Sequence, residues 1–283
     1  MVKEVPDTIP IVDTAMENEK KDLVTGSGML THLRTVEALR KHGWTVNISS
    51  YYYDDVSDSP REIDIVAEKE FNSWERRAES TKQLNVQLFI ECKYLVQEIA
   101  LWFDDMNRWR AINAAEDNTG REIVEFRNGG DLASSEFHQL RGKKVAKLFS
   151  SNLSKEDVIY KALSQCLKAL VYYQDWANGP LIHSFLTDHG AETKIVRFPV
   201  IVFDNFSNLR ELTFDVASGN HSTVSIFDNF LIETNYVHLD KTKSRAKDQY
   251  FLVDCLNIEK LPEYLTALDG ESKRIMESIR LRP

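Results

Sequence analysis

An α/β domain, with a mixed central sheet flanked by helices, is the fold class this sequence predicts. Three observations point to it. Met29–His42 carries apolar residues at helical spacing; short β-branched and aromatic runs follow it, separated by turn signals; and Lys161–Trp176 is an amphipathic helix leading into another apolar run. The order helix, strand, strand, strand, helix, strand switches between the two periods that a layered α/β fold requires.

Taken in order, residues 1–27 are polar, lack a sustained period and read as an N-terminal arm. In Met29–His42, Leu30, Leu33, Val36 and Leu39 mark the apolar stripe, and Gly43 supplies the stop. Trp44–Tyr53 (WTVNISSYYY), Glu62–Ala67 (EIDIVA) and Val86–Tyr94 (VQLFIECKY) read as three strands. The polar stretch between the last two reads as a long hairpin connection. Residues 95–116 read as helical and GREIVEFRNGGD as a strand entering a turn, both inside an insertion spanning 95–155. Lys161–Trp176 buries Leu163, Leu167, Leu170 and Val171, and Val196–Phe203 (VRFPVIVF) is a strand whose Pro199 favours an edge or the start of a ladder. LRELTFDVA, FLIETNYVHL and YFLVDCLNI read as further strands, and Leu261–Ile279 as a closing helix. The expected organisation is an arm (1–27), a core (28–205) and a C-terminal extension (206–283) packed on the same domain.

The chain has 283 residues, 42% of them hydrophobic and 28% charged, as expected of a globular domain with a real core. No run of about 20 apolar residues is present, so no membrane span is expected. A secretory signal is not expected either. Three widely spaced cysteines (Cys92, Cys166, Cys255) suit reduced thiols in a cytoplasmic setting and offer no CxxC zinc pair. A net charge of −9 argues against nonspecific coating of nucleic acid, yet a metal site needs carboxylates.

The chemistry concentrates in two strands. Phe89, Glu91 and Lys93 share one face of their strand, while Leu88, Ile90 and Cys92 take the other. If the Asp64 strand lies alongside, Asp64 comes to about 5 Å from Glu91 across the ladder. Two ionised carboxylates so placed repel one another unless a proton or a cation intervenes. A hard divalent ion such as Mg²⁺ or Mn²⁺ resolves the conflict and would activate water against a phosphoryl group. Lys93 would position or deprotonate that water, or stabilise charge on the phosphate; the sequence leaves these open.

REIDIVA (Arg61–Ala67) and LFIECKY (Leu88–Tyr94) resemble the PD-(D/E)xK nuclease superfamily, in which an Asp is followed by Glu-x-Lys at a strand end. The resemblance covers about Met29–Asp204, with Ile63 standing where the name-giving pattern has Pro. It implies a restriction-endonuclease-like αβββαβ core and a Mg²⁺- or Mn²⁺-dependent endonuclease acting on DNA ahead of RNA. Asp64, Glu91 and the Cys92 backbone carbonyl would be metal ligands, and Lys93 the catalytic amine. Glu37, in the first core helix, matches a further acidic position of the family. Gln165 or Lys168, in the helix after the motif, would stand near the substrate backbone. A catalytically inactive or partner-activated binding subunit is the alternative, and either a homodimer or a separate partner subunit is compatible with the sequence. Outside this constellation, Trp102, Arg108, Trp109 and Arg110 interleave aromatic and basic residues, and Arg141–Lys144 is a short basic cluster. The first reads more simply as a core helix with solvated charges and the second as a solvated loop, and His183 and His189 flank a loop with no partner at ligand spacing.

Overall fold

The computed structural model describes residues 28–75, 80–119, 137–142, 144–151, 158–174, 192–215, 217–240 and 245–278. The chain order is α1 (Met29–Lys41), β1 (Thr45–Asp54), β2 (Ser59–Glu75), β3 (Ser80–Lys93), β4 (Ile99–Asp105) and α2 (Arg108–Thr119). There follow α3 (His138–Arg141), β5 (Lys144–Ser151), α4 (Val158–Gln174), β6 (Glu192–Phe203), β7 (Leu209–Phe214) and β8 (His221–Ser225). The chain then runs through β9 (Phe230–Asp240), β10 (Arg245–Asn257), a 3₁₀ turn (Ile258–Lys260) and α5 (Leu261–Ser278). The expected strand GREIVEFRNGGD lies outside the described residues, as do Lys143, His183 and His189.

One mixed ten-stranded sheet takes the order β1-β2-β3-β6-β10-β9-β5-β4-β7-β8. Strands β3 and β6 stand third and fourth in it, both interior, and run parallel to each other from Lys82↔Glu192 to Lys93↔Phe203. Leu88–Ile90 and Phe198–Phe203 are unbroken apolar runs within them because both faces are covered there. Leu88, Ile90, Val200 and Val202 join Leu39 of α1, Ala111 of α2 and Leu265 of α5 in one core. Phe89, Ile201 and Phe203 join Ile159, Leu163, Cys166 and Leu170 of α4 in the other. Pro199, without an N–H, sits in this central strand where the β6–β10 ladder has yet to begin; that ladder runs only from Val200↔Asp254 to Phe203↔Asn257.

Several sequence expectations need correction. The stripe of α1 is rotated: Leu30 and Leu33 are exposed, whereas Thr31 and Thr35 are buried with Val36 and Leu39. Burying Thr35 is tolerated because its hydroxyl donates to the Thr31 carbonyl at 2.8 Å. Gly43, at φ 76°, does end the helix. The Trp44 N–H donates to the Leu39 carbonyl and the Gly43 N–H to that of Arg40, a closure that needs a left-handed residue. The polar connection between β2 and β3 is itself strand, paired from Ile65↔Ile90 out to Glu75↔Ser80. Residues 95–116 are not one helix. IALWFDD buries Ile99 and Leu101 in alternation as β4, and α2 begins only where Asn107 Oδ1 accepts the Arg110 N–H at 3.1 Å. A short apolar run followed by a helical pattern satisfies both periods, and only the tertiary contacts decide.

A buried ionic knot ties the α2/α3/α5 side of the sheet together. His138 directs Nε2 at Asp254 Oδ1 on β10 (2.9 Å) and Nδ1 at Glu271 Oε1 on α5 (3.0 Å). Gln139 donates to Asp254 Oδ2 (2.7 Å) and Arg141 to Glu271 Oε2 (3.3 Å). Burial works against the imidazolium, but the charges of Asp254 and Glu271 outweigh it and lift the His138 pKa to about 10. Both ring nitrogens therefore carry protons.

Candidate functional site

The β2–β3 ladder closes at Ile65↔Ile90, and continuing its register sets Asp64 directly across from Glu91. Past that point side chains replace backbone in holding the strands. Asp64 Oδ2 accepts the Cys92 N–H at 2.8 Å, and Glu91 Oε1 accepts the Asp64 N–H at 3.4 Å. Two features mark the break. Ser49 of β1 stands in the left-handed region at φ 56°, between the pairs Ile48↔Ile65 and Ser50↔Ile63, at the level of Asp64. In β2 the alternation slips, because Ile65 packs in the α1/α5 core and Ile63 in the α4 core. An unbroken pleat would send both to one face.

Glu91 is fully buried, and its Oε2 accepts a 2.6 Å bond from Lys93 Nζ, whose side chain is 18% exposed. Burial, then the charge of Asp64, pushes the Glu91 carboxyl up to about 7 against the pull of Lys93. Burial also opposes the Lys93 ammonium, but the charge of Glu91 and then of Asp64 prevails and its pKa rises. Lys93 is therefore a cation locked to Glu91, and it offsets part of the charge of the carboxylate pair. The exit of β3 is pinned as well, since the Asp204 N–H donates to the Lys93 carbonyl (3.0 Å) and Asp204 Oδ1 accepts the Leu95 N–H (3.1 Å).

Cys92 points away, into the α1/α5 core, with Sγ 3.6 Å from Thr35 Oγ1. Burial pushes its thiol pKa up, so it is no nucleophile. Glu37 does not join the carboxylates. It stands on the exposed face of α1 with its Oε1 2.7 Å from Lys41, and α1 reaches the site strands through Thr35 instead. Helix phase explains this, because a residue two positions from buried Thr35 lies on nearly the opposite side.

Helix α4 covers the other face of the site. Cys166 donates from Sγ to the Val200 carbonyl at 3.3 Å, and burial, then the Glu91 charge, raises its pKa. Gln165 has its Oε1 enclosed without a hydrogen-bond partner among the described residues. Lys168 extends to Asp54 Oδ2 at 2.7 Å. Asp54 is almost wholly buried and also accepts from the Val56 N–H (3.0 Å) and the Ser57 hydroxyl (2.8 Å). Burial resists ionisation of Asp54, but these partners, Lys168 foremost, hold its carboxyl below the usual range. Tyr52, buried on β1 two residues before Asp54, has its phenol pKa raised by burial, then by Asp54, then by Glu91. Asp54 and Tyr52 escaped the sequence reading because they sit in a turn-prone cluster and an aromatic run that have ordinary structural explanations. The aromatic and basic candidates disperse: Trp102 lies on β4, Trp109 is exposed on α2, and Arg110 pairs with Asp248 on β10.

Asp64 and Glu91 supply hard oxygen donors from opposing positions of β2 and β3, a set that suits the one or two carboxylates Mg²⁺ takes from a protein. Among the described residues no group of three or more His, Cys, Asp and Glu side chains is placed to hold a metal. Backbone carbonyl and water would have to complete the coordination. No helix among the described residues is long and apolar enough to cross a membrane. Compared with family models, with curated proteins and with solved structures, the chain finds no match.

Proposed function

We propose that this chain is a metal-dependent nuclease of the PD-(D/E)xK type, hydrolysing phosphodiester bonds of DNA ahead of RNA. The observation that carries the reading is the placement of Asp64 opposite Glu91 at the open end of the β2–β3 ladder, with the Lys93 ammonium 2.6 Å from Glu91. The element order α1-β1-β2-β3, then α4-β6, supports a restriction-endonuclease-like core around that site. Asp64, Glu91 and the Cys92 carbonyl would hold Mg²⁺ or Mn²⁺. When bound, the ion supplies Lewis-acid activation of water and of the phosphoryl oxygen.

The chain's own residues then have distinct tasks. Lys93, a cation with a raised pKa, suits stabilisation of developing negative charge on the phosphate better than removal of a proton from water. Asp204, through the Lys93 carbonyl, fixes the strand that carries it. One feature favours the second reading, a partner-activated subunit: both oxygens of Glu91 are engaged within the protein, Oε1 by the Asp64 N–H and Oε2 by Lys93. A partner that repositions Lys93 would free Oε2.

Plasmid DNA, single-stranded DNA and RNA incubated with Mg²⁺ or Mn²⁺ test the proposal. Cleavage of DNA that EDTA abolishes is expected. Cleavage of none of the three would leave the partner-activated reading, and cleavage unaffected by EDTA would refute the metal mechanism.

A further inference from the structure

We infer that Glu70, Asn85 and Gln87, oriented by Glu68, form a Ca²⁺ site on the β2–β3 ladder, separate from the proposed catalytic pair. The ladder sets Glu68 across from Gln87 and Glu70 across from Asn85. Alternation puts these four side chains on one face, the face that carries Phe89 of the α4 core. Apolar side chains would cover that face at less cost. Glu68, Asn85 and Gln87 are only 2%, 2% and 3% exposed. Burying such groups is unfavourable unless each donor and acceptor is matched.

The matching here fails on the acceptor side alone. Asn85 Nδ2 donates to Glu68 Oε2 and Gln87 Nε2 to Glu68 Oε1, both at 3.3 Å. Asn85 Oδ1 and Gln87 Oε1 are left enclosed, without a hydrogen-bond partner among the described residues. What these two oxygens lack is something electropositive, and half-buried Glu70 adds a negative charge on the same face. Both bonds to Glu68 are long for a charged acceptor, for which about 2.7–2.9 Å is usual, so the amides can shift toward an ion. Their enclosure admits a bare cation more readily than an organic amine. Ca²⁺ takes carboxylate and carboxamide oxygens with waters in a flexible shell, whereas Mg²⁺ demands near-ideal octahedral geometry. Glu68 stands behind the ligands and fixes the two amides, as outer carboxylates do at metal sites. Arg197, the β6 neighbour of Gln87, lines the cleft toward β10 with Gln174 and Gln249. The Glu68 charge reaches it but only partly offsets the burial that lowers its pKa to about 10. An ion held between β2 and β3 lies beyond Gln87 from that guanidinium. Gln87 also precedes Glu91 on β3 by about 13 Å of strand, so the two sites share no ligand.

The full-length Glu91→Gln protein, which lacks a proposed catalytic ligand, is the background for the test, so the outcome does not depend on the nuclease reading. Ca²⁺ is titrated into it calorimetrically, and its melting temperature is compared in Ca²⁺ and in EDTA. Binding of one Ca²⁺ per chain and a higher melting temperature in Ca²⁺ are expected. Adding Gln87→Leu, which removes one of the two enclosed oxygens, or Glu70→Gln, which removes the charged ligand, should weaken Ca²⁺ binding at least about tenfold and remove most of the shift. Should Gln87→Leu fail to fold, Glu70→Gln, on a half-buried side chain, decides alone. A Glu91→Gln protein that takes up no Ca²⁺ and melts alike in Ca²⁺ and in EDTA would overturn the inference and leave the two oxygens to buried water. Ca²⁺ affinity unchanged by Glu70→Gln would overturn it as well.

Discussion

Lys93→Ala is expected to lower metal-dependent DNA cleavage by about 10²–10³-fold or more, the loss that follows removal of one well-placed electrostatic donor. The effect should fall on the saturated rate, because Lys93 is proposed to act on charge that grows in the transition state rather than on substrate binding. Metal affinity should hold or tighten. The Lys93 ammonium now occupies Glu91 Oε2, and removing it takes away a competitor for that oxygen. From sequence, Lys93 reads as an exposed strand-end residue whose loss costs little stability; the structure instead makes it half of a buried pair. The cost of breaking that pair is limited, because Glu91, with its carboxyl pushed up to about 7, can take a proton instead. Single-turnover rates against Mn²⁺ titrations separate the two effects. Cleavage near the wild-type rate would remove Lys93 from the mechanism.

The largest effect on stability is expected at His138. His138→Ala leaves Asp254 and Glu271 buried at 3% and 1% exposure without the cation between them. Breaking a buried pair by removing one partner typically costs about 3–5 kcal/mol. Gln139 on Asp254 and Arg141 on Glu271 remain to soften the loss. A fall in melting temperature of about 10 °C corresponds to that range for a domain of this size. The pH dependence has a definite sign. His138 is raised from an ordinary value of about 6.5 to about 10 in the fold. Its contribution is therefore fully present below about pH 6.5 and drains away as pH rises through about 10. Denaturant midpoints at pH 6, 8 and 10 for wild type and His138→Gln check this. The gap between the two proteins should shrink toward pH 10, and a gap constant with pH would mean that the imidazolium is not the stabilising species.

The sequence made the site legible where chemistry and period coincide. Asp64, Glu91 and Lys93 sit at the ends of apolar strands, and the two-residue alternation alone puts Glu91 and Lys93 on one face with Cys92 on the other. Glu37 is a site candidate through the resemblance alone, and the hydropathy of α1 could not correct it, because the stripe it marks includes Leu30 and Leu33, which the fold leaves exposed. The fold buries Thr31 and Thr35, whose hydrogen bonds no hydropathy pattern registers. Asp54 and Lys168 are 114 residues apart, and His138 is 116 and 133 residues from its two carboxylates. Pairs of that separation leave no local trace. Residues 95–116 went astray for a different reason, since IALWFDD is too short for its period to be decided. The like-charge strain expected between Asp64 and Glu91 persists in part, because burial and the Asp64 charge push the Glu91 carboxyl up to about 7 against the pull of Lys93. A gain in stability on neutralising Glu91 in EDTA is therefore still expected, reduced by the loss of the Lys93 pairing.

The proposed metal site is tested most directly by the thermal response to Mn²⁺ of wild type and of Glu91→Gln, each measured against EDTA. An ion bound by the native state alone stabilises it by about 2.7 kcal/mol at 100 times its Kd. Wild type should therefore melt higher in Mn²⁺ than in EDTA. Glu91→Gln, which keeps the shape but removes a charged ligand, should lose most of that shift. A wild type that melts at the same temperature in Mn²⁺ and in EDTA, or a Glu91→Gln protein that gains as much from Mn²⁺ as wild type does, would contradict a metal held between Asp64 and Glu91.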